Sequence, residues 1–324
     1  DVLQQLCREY DLGQTQVQMS ASIGVAFYPE HGDMTEEILK KADAAMYAAK
    51  EAGRNCWHLF EPALIEKTFD DMTLVNDLRR ALARKEFFLQ YQPQLSIDGA
   101  RIVGFEALLR WKSHKHGLVS PARFIPLAEK SRLILQIGQW VLQEACCFAK
   151  KLKTMGRQDI RVAVNISPRQ LKDKAFLDKI RDSIAVSGIQ PSQLEIEVTE
   201  NVFMDALEES VHTFRQLQTE GVTLALDDFG TGFSSLTYLR ILPVNILKID
   251  KSFIDQIEFD TRQLQFVDSI INLGHRLGIS IVAEGVETQT QLDELRSCDC
   301  DYVQGFVFYK PLHEQEVFEL LKRY

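Results

Sequence analysis

The stretch TLALDDFGTGFSSL, residues 223–236, ends an apolar run on two adjacent aspartates and continues into a loop holding two glycines. Leu224, Ala225 and Leu226 read as a buried strand. Asp227 and Asp228 then sit side by side at its end. Like charges repel there, and desolvating either one costs free energy unless something positive compensates. A strand that stops on paired carboxylates therefore asks for a cation, and the rest of the chain shows which kind.

Seven further runs of strand length surround this one: FFLQYQP (87–93), RIVGFEALL (101–109), IRVAVNIS (160–167), LEIEVTE (194–200), NILKID (245–250), ISIVAEG (279–285) and DYVQGF (301–306). Most are separated by amphipathic helical stretches such as ILQIGQWVLQEACCFAKKL (134–152) and ALEESVHTFRQLQTEG (206–221). Eight strands alternating with helices over about 240 residues is the arithmetic of a (β/α)8 barrel. An open doubly wound sheet is the alternative, but no glycine-rich dinucleotide loop follows any strand. The first connection, QLSIDGA (94–100), is short and turn-like, which predicts an antiparallel first strand and an imperfect barrel.

The polar residues at the strand ends fall in register. Strand two carries Glu106, strand three Asn165, strand four Glu197, and strand five Asp227 with Asp228. Strand six carries Lys248, strand seven Glu284 and strand eight Gln304. Singly, each reads as a rim charge or a turn former. Together they line the end where barrel active sites are built. The set offers hard oxygen donors and neither Cys nor His, which suits Mg²⁺ or Mn²⁺ rather than zinc or copper. Two ions give adjacent aspartates a purpose: each faces one ion, or Asp227 bridges both. Such two-metal sites cleave phosphodiesters. Lys248 alternates with Ile246 and Asp250, so its ammonium points among carboxylates. A carboxylate-rich pocket keeps it protonated, which opposes a Schiff-base role.

The remainder sets boundaries. A length of 324 residues allows one large domain, or one large and one small. The net charge of −9 disfavours an extended nucleic-acid surface, while metal ions still permit a small phosphorylated substrate. No apolar run is long enough to span a membrane, so no membrane contact is expected from this segment. Cys7, Cys56, Cys146, Cys147, Cys298 and Cys300 form no CxxC pair and read as reduced thiols of a cytoplasmic protein. The start at Asp1 reads as a piece of a longer chain whose upstream segments are out of view. Residues 16–28 read as a strand and 34–55 as a helix capped by Thr35 and stopped by Gly53. That is a thin core for about 60 residues, as in the end of a truncated domain. Residues 61–85 read as a charged helical connector.

FEALLRW (105–111), VNISPRQL (164–171), EIEVTE (195–200), DDFGTGFSSL (227–236), LKID (247–250), AEGVET (283–288) and VQGF (303–306) resemble the EAL family of cyclic di-GMP phosphodiesterases. The segment 22–55 resembles the C-terminal end of a GGDEF domain, so the parent resembles a GGDEF–EAL tandem. The resemblance implies a GGDEF remnant over 1–60, a helical linker over 61–75 and a modified TIM barrel over 76–324. It implies hydrolysis of cyclic di-GMP to linear pGpG, or, in a silent member, binding of cyclic di-GMP without turnover.

By the same resemblance, Glu106, Asn165, Glu197 and Asp227 hold a first metal. Asp228 serves a second, with Glu284 ligating or positioning nearby. Lys248 orients or activates the hydrolytic water, Glu200 braces the 230s loop, and Gln304 helps complete the site. Gln92, Leu109 and Arg110 contact substrate, Arg110 at phosphate, and Glu287 lies near the substrate or behind the ligands. Phe229, Gly230, Thr231, Gly232, Phe233 and Ser234 form a lid or coupling loop. The resemblance further implies Mg²⁺ or Mn²⁺, two per site, with Ca²⁺ binding but catalysing poorly. It implies a homodimer through the barrel, and upstream GGDEF and sensor domains in the parent. Two departures stand out: Ser131-Arg132 replaces a common Thr-Gly pair, and Phe233 replaces a frequent Tyr. No GG[DE]EF signature occurs, so this segment is not expected to make cyclic di-GMP.

Overall fold

A computed structural model describes residues 2–11, 13, 16–200, 207–230, 239 and 242–324. They form two units, Asp1–Leu78 and Arg79–Tyr324. Among the described residues, no helix is long and apolar enough to cross a membrane.

In the first unit, helix Thr35–Glu51 packs on a parallel pair of strands, Ile23–Val25 and Trp57–Leu59. Gly24 permits that packing, since a Cβ there would lie 1.9 Å from the Ala42 carbonyl oxygen. The strand expected over 16–28 is instead two short ones, Gln16–Gln18 and Ile23–Val25. The first of these pairs antiparallel with Glu9–Asp11. Met34, in extended backbone, occupies the helix N-cap, and Thr35 is the first helical residue. The helical connector is Pro62–Ala81.

The second unit contains eight strands in a closed ring: β1 (Phe87–Ser96), β2 (Ile102–Ser113), β3 (Arg161–Asn165), β4 (Leu194–Thr199), β5 (Thr223–Phe229), β6 (Ile246–Ile249), β7 (Ser280–Glu284) and β8 (Tyr302–Gln304). Only β1 runs against both its neighbours, pairing antiparallel with β2 and β8. The tight turn after it leaves no room for a crossover helix. Every later step around the ring is parallel. A further strand, Gly117–Val119, pairs with the far end of β2.

Successive residues of a strand point to opposite faces. Val164, Ile196, Leu224, Leu247 and Ile281 are fully buried, as is the apolar stripe Ala145, Phe148 and Leu152 of helix Ile134–Thr154. The alternate residues, including Glu106, Glu197 and Lys248, are buried too. The apolar set forms a sheet–helix core, and the polar set is collected at one barrel mouth.

The break between helices Pro121–Lys130 and Ile134–Thr154 places Arg132 at φ 62°, in left-handed backbone. This accounts for the glycine common there in the family the sequence resembles, because a side chain costs about 1–2 kcal/mol in that conformation. Arg132→Gly is expected to stabilise the fold by about 0.5–1 kcal/mol after the larger entropy of the unfolded glycine is deducted. Denaturant titration checks this, and an unchanged or lower midpoint would contradict it.

Candidate functional site

The pairing register brings the strand-end residues to one level. Gln92 lies opposite Glu106, Asn165 opposite Glu197, Ala225 opposite Glu197, Lys248 opposite Val282, and Glu284 opposite Gln304. Asp227 and Asp228 join this level through an irregularity. Leu226 pairs with Leu247, but the next partner of β6 is Phe229 with Ile249, so two residues of β5 stand against one of β6. Asp228 takes up the extra residue at φ 55°, a region that aspartate enters more readily than most residues. A regular strand would send one carboxylate outward. The bulge lets both contribute, and oxygen atoms of Asp227, Asp228 and Glu284 lie within 4.8 Å of one another.

Lys248 sits at the centre and is fully buried. Its Nζ lies 2.7 Å from Glu284 Oε1, 2.9 Å from Glu197 Oε1, 3.3 Å from Asp227 Oδ1 and 3.7 Å from Glu106 Oε2. Burial alone disfavours the ammonium, but Asp227, Glu106, Glu197 and Glu284 together hold its pKa well above the ordinary value. One positive charge among four carboxylates leaves a negative surplus. Glu197 shows the consequence: burial, with Lys248 opposing, and repulsion from Glu106 and Asp227 hold its carboxyl well above the usual range. Burial similarly pushes Glu284 up to about 8 and raises Asp228.

Glu106 differs. Burial raises its carboxyl, but Lys248 and hydrogen bonds from Gln304 and Asn165 outweigh this and leave it lowered. Asn165 Nδ2 donates to Glu106 Oε1 at 2.6 Å, and Gln304 Nε2 donates to Glu106 Oε2 at 2.5 Å.

The residues present fit a divalent cation. Both oxygens of the fully buried Glu197 lack a hydrogen-bond donor, because the close Lys248 contact is an ion pair without hydrogen-bond alignment. Lys248 is shared among four carboxylates, so a buried carboxylate without hydrogen-bond donors stays expensive here until a further cation meets it. The surrounding donors are all oxygen, as Mg²⁺ and Mn²⁺ prefer.

Other expected residues are placed around this centre. Gly230 N–H donates to Glu200 Oε2 at 3.3 Å, so Glu200 holds the start of the 230s loop. Phe229 is buried, and a Cβ on Gly230 would strike the Phe253 ring at 2.7 Å. Thr231, Gly232, Phe233 and Ser234 lie outside the described residues. Glu287 is exposed and paired with Lys251. Gln92 accepts from Gln304 Nε2 at 3.3 Å. Arg110 Nε donates to Gln90 Oε1 at 2.8 Å, which fixes its guanidinium.

Arg110, Leu109 and Asn165 also line a cavity of about 440 Å³. Its other walls include Pro121, Ile125, Val141 and Glu129. Sequence reasoning passed over these, because apolar residues on helices look like ordinary core. Their signal was proximity to Arg110 after folding, which no spacing displays. Burial raises the Glu129 carboxyl, with Arg169 opposing.

Residues 75–311 match the family model described as EAL domain. The chain belongs to the EAL domain family. Residues 1–56 match the model described as Diguanylate cyclase, GGDEF domain. The chain is 40% identical to the bifunctional diguanylate cyclase/cyclic di-GMP phosphodiesterase MucR of Pseudomonas aeruginosa, over 98% of this chain and 46% of that protein. It is 39% identical to the cyclic di-GMP phosphodiesterase NbdA of the same organism, over 94% of this chain and 39% of that one. It thus spans less than half the length of these relatives. The solved structure described as "PaMucR Phosphodiesterase, c-di-GMP complex" is similar at a TM-score of 0.73 and 41% identity, covering 76% of this chain and 99% of that one. The EAL family supplies the barrel, and the acidic cluster is one that could bind a metal.

The Glu284 shift has a sign that can be tested in EDTA. A carboxyl raised to about 8 binds its proton more tightly in the folded chain than in the unfolded one. Its contribution is therefore greatest at low pH and is lost as pH rises from about 5 to about 8. Glu284→Gln cannot ionise and escapes that loss. Melting temperatures in EDTA should shift in favour of the variant as pH rises through this window. A difference independent of pH would contradict the assignment.

Proposed function

We propose that this chain hydrolyses cyclic di-GMP to linear pGpG, using two Mg²⁺ or Mn²⁺ ions at the barrel mouth. The observation that carries the reading is the fully buried Lys248 ammonium, within 3.7 Å of four carboxylates that it cannot neutralise. The similarity to MucR and NbdA supports the substrate.

Glu106, the Asn165 side-chain oxygen, Glu197 and Asp227 would hold one ion; Asp228 and Glu284 would serve the other. When bound, the ions supply Lewis acidity that activates water and stabilises charge on phosphate oxygens. Lys248 Nζ stays protonated and donates to the attacking water or to a phosphate oxygen, holding charge where it develops. Arg110 keeps N–H groups for the second phosphate, since Gln90 and its own strand occupy only Nε and Nη1. Attack forms a bond from water oxygen to phosphorus and breaks the bond to the 3′ oxygen; the water gives up one proton and the 3′ oxygen takes one up, so the two balance. The cavity beside Arg110 has apolar walls for the faces of a guanine, with Glu129 available to a polar edge.

Chromatography after incubation with cyclic di-GMP and Mn²⁺ should show linear pGpG, and EDTA should abolish it. Glu106→Gln should lower turnover by about 100-fold or more, since even indirect partners of metal ligands are worth 10–100-fold. Val141→Trp, which fills the cavity, should raise KM about 10-fold or more while leaving Mn²⁺ binding intact. Folded, Mn²⁺-loaded chain that binds cyclic di-GMP without cleaving it would replace this reading with a receptor.

A further inference from the structure

Of the four carboxylates around Lys248, Glu106 is the farthest from the ammonium, at 3.7 Å. Amides, not the lysine, set its orientation. Asn165 occupies one oxygen and Gln304 the other. An amide can hold a carboxylate only with its NH₂ toward it; reversed, its oxygen would repel the carboxylate. Something must therefore fix which way Gln304 faces.

Gln94 does so. It is fully buried, and its Nε2 donates to Gln304 Oε1 at 3.0 Å. That bond commits the Gln304 oxygen and leaves both of its hydrogens for Glu106 Oε2 and Gln92 Oε1. The antiparallel β1 makes the relay: Gln92 and Gln94 share one face, opposite Glu106 and Gly104 of β2. Gly104 leaves the space, because a Cβ there would lie 2.8 Å from Gln94 Oε1. The Gln94 oxygen has no hydrogen-bond partner although it is buried. A buried amide satisfied at one end only is a poor core residue; leucine or methionine would fill the volume without that cost. Its donor end accounts for its presence.

We propose that Gln94 is a positioning residue for Glu106, acting through Gln304 to hold that carboxylate for a divalent cation. This rests on the metal-site reading above, and its first readout is metal binding without substrate. Mn²⁺ affinity is measured by calorimetry on the whole chain, with melting temperature in EDTA as the check on folding. Gln94→Met should weaken Mn²⁺ binding by about 10-fold or more and leave the melting temperature in EDTA unchanged or higher. In a Gln304→Met background, the same substitution should have no further effect, because its route to Glu106 is already cut. Wild-type Mn²⁺ affinity in Gln94→Met, or two losses that multiply in the double variant, would overturn the proposal. Should Gln94→Met not fold, Gly104→Ala displaces the same amide; it should show the same loss, and wild-type affinity there would overturn the proposal equally. Parent chain that binds Mn²⁺ but yields no pGpG would sink the proposed activity and leave the Gln94 relay standing. Parent chain that binds no Mn²⁺ would overturn both.

Discussion

One ammonium buried among four carboxylates governs this barrel. Lys248 and Glu197 are both fully buried, and the ammonium relies on Asp227, Glu106, Glu197 and Glu284 together for its charge. The arrangement is unbalanced by design of the sequence: one positive group serves Glu106, Glu197, Asp227 and Glu284, with Asp228 close behind. Raised carboxyls at Glu197, Asp228 and Glu284 express that imbalance, and divalent cations are the species that would relieve it. A site built this way keeps its lysine charged and its carboxylates together.

The mouth divides into two chemistries. On the β4–β7 side, carboxylates crowd around Lys248. On the β1, β2 and β8 side, Gln92 and Gln94 hold the Gln304 amide against Glu106, whose carboxyl is lowered by Lys248 and by hydrogen bonds from Gln304 and Asn165. The antiparallel β1, paired between β2 and β8, supplies the two glutamines of that side. A second ion pair, from the half-buried Arg161 Nε to the fully buried Glu195 Oε2 at 2.8 Å, lies nearer the strand starts, with Arg161 over the Tyr302 ring. The barrel interior is therefore polar well below the mouth.

Much of this was legible in the chain. Apolar runs of strand length located all eight strands, and the short turn after residue 94 gave the antiparallel first strand. The polar residues at the strand ends came to one level as their register required. What was not legible depended on backbone detail or on distant neighbours. The paired aspartates were evident as a pair, but alternation alone would have pointed them apart; only the bulge and the left-handed Asp228 bring both inward. Gln94 gave no sign, because a glutamine two residues after Gln92 looks like any strand residue until Gln304 and Gly104 are set beside it. Ile125 and Val141 read as core for the same reason. Arg132 shows the converse, a residue whose departure from a glycine pattern became intelligible through its φ.

Lys248 compensates a cluster of carboxylates that could also hold a metal ion. Denaturant unfolding of Lys248→Met, in EDTA and in saturating Mn²⁺, tests it most directly. Removing one partner of a buried ion pair costs about 3–5 kcal/mol. The expected loss is of that order in EDTA and much smaller with Mn²⁺, because bound ions would then take over the compensation. A variant as stable as the parent in EDTA, or one that Mn²⁺ does not rescue, would contradict it.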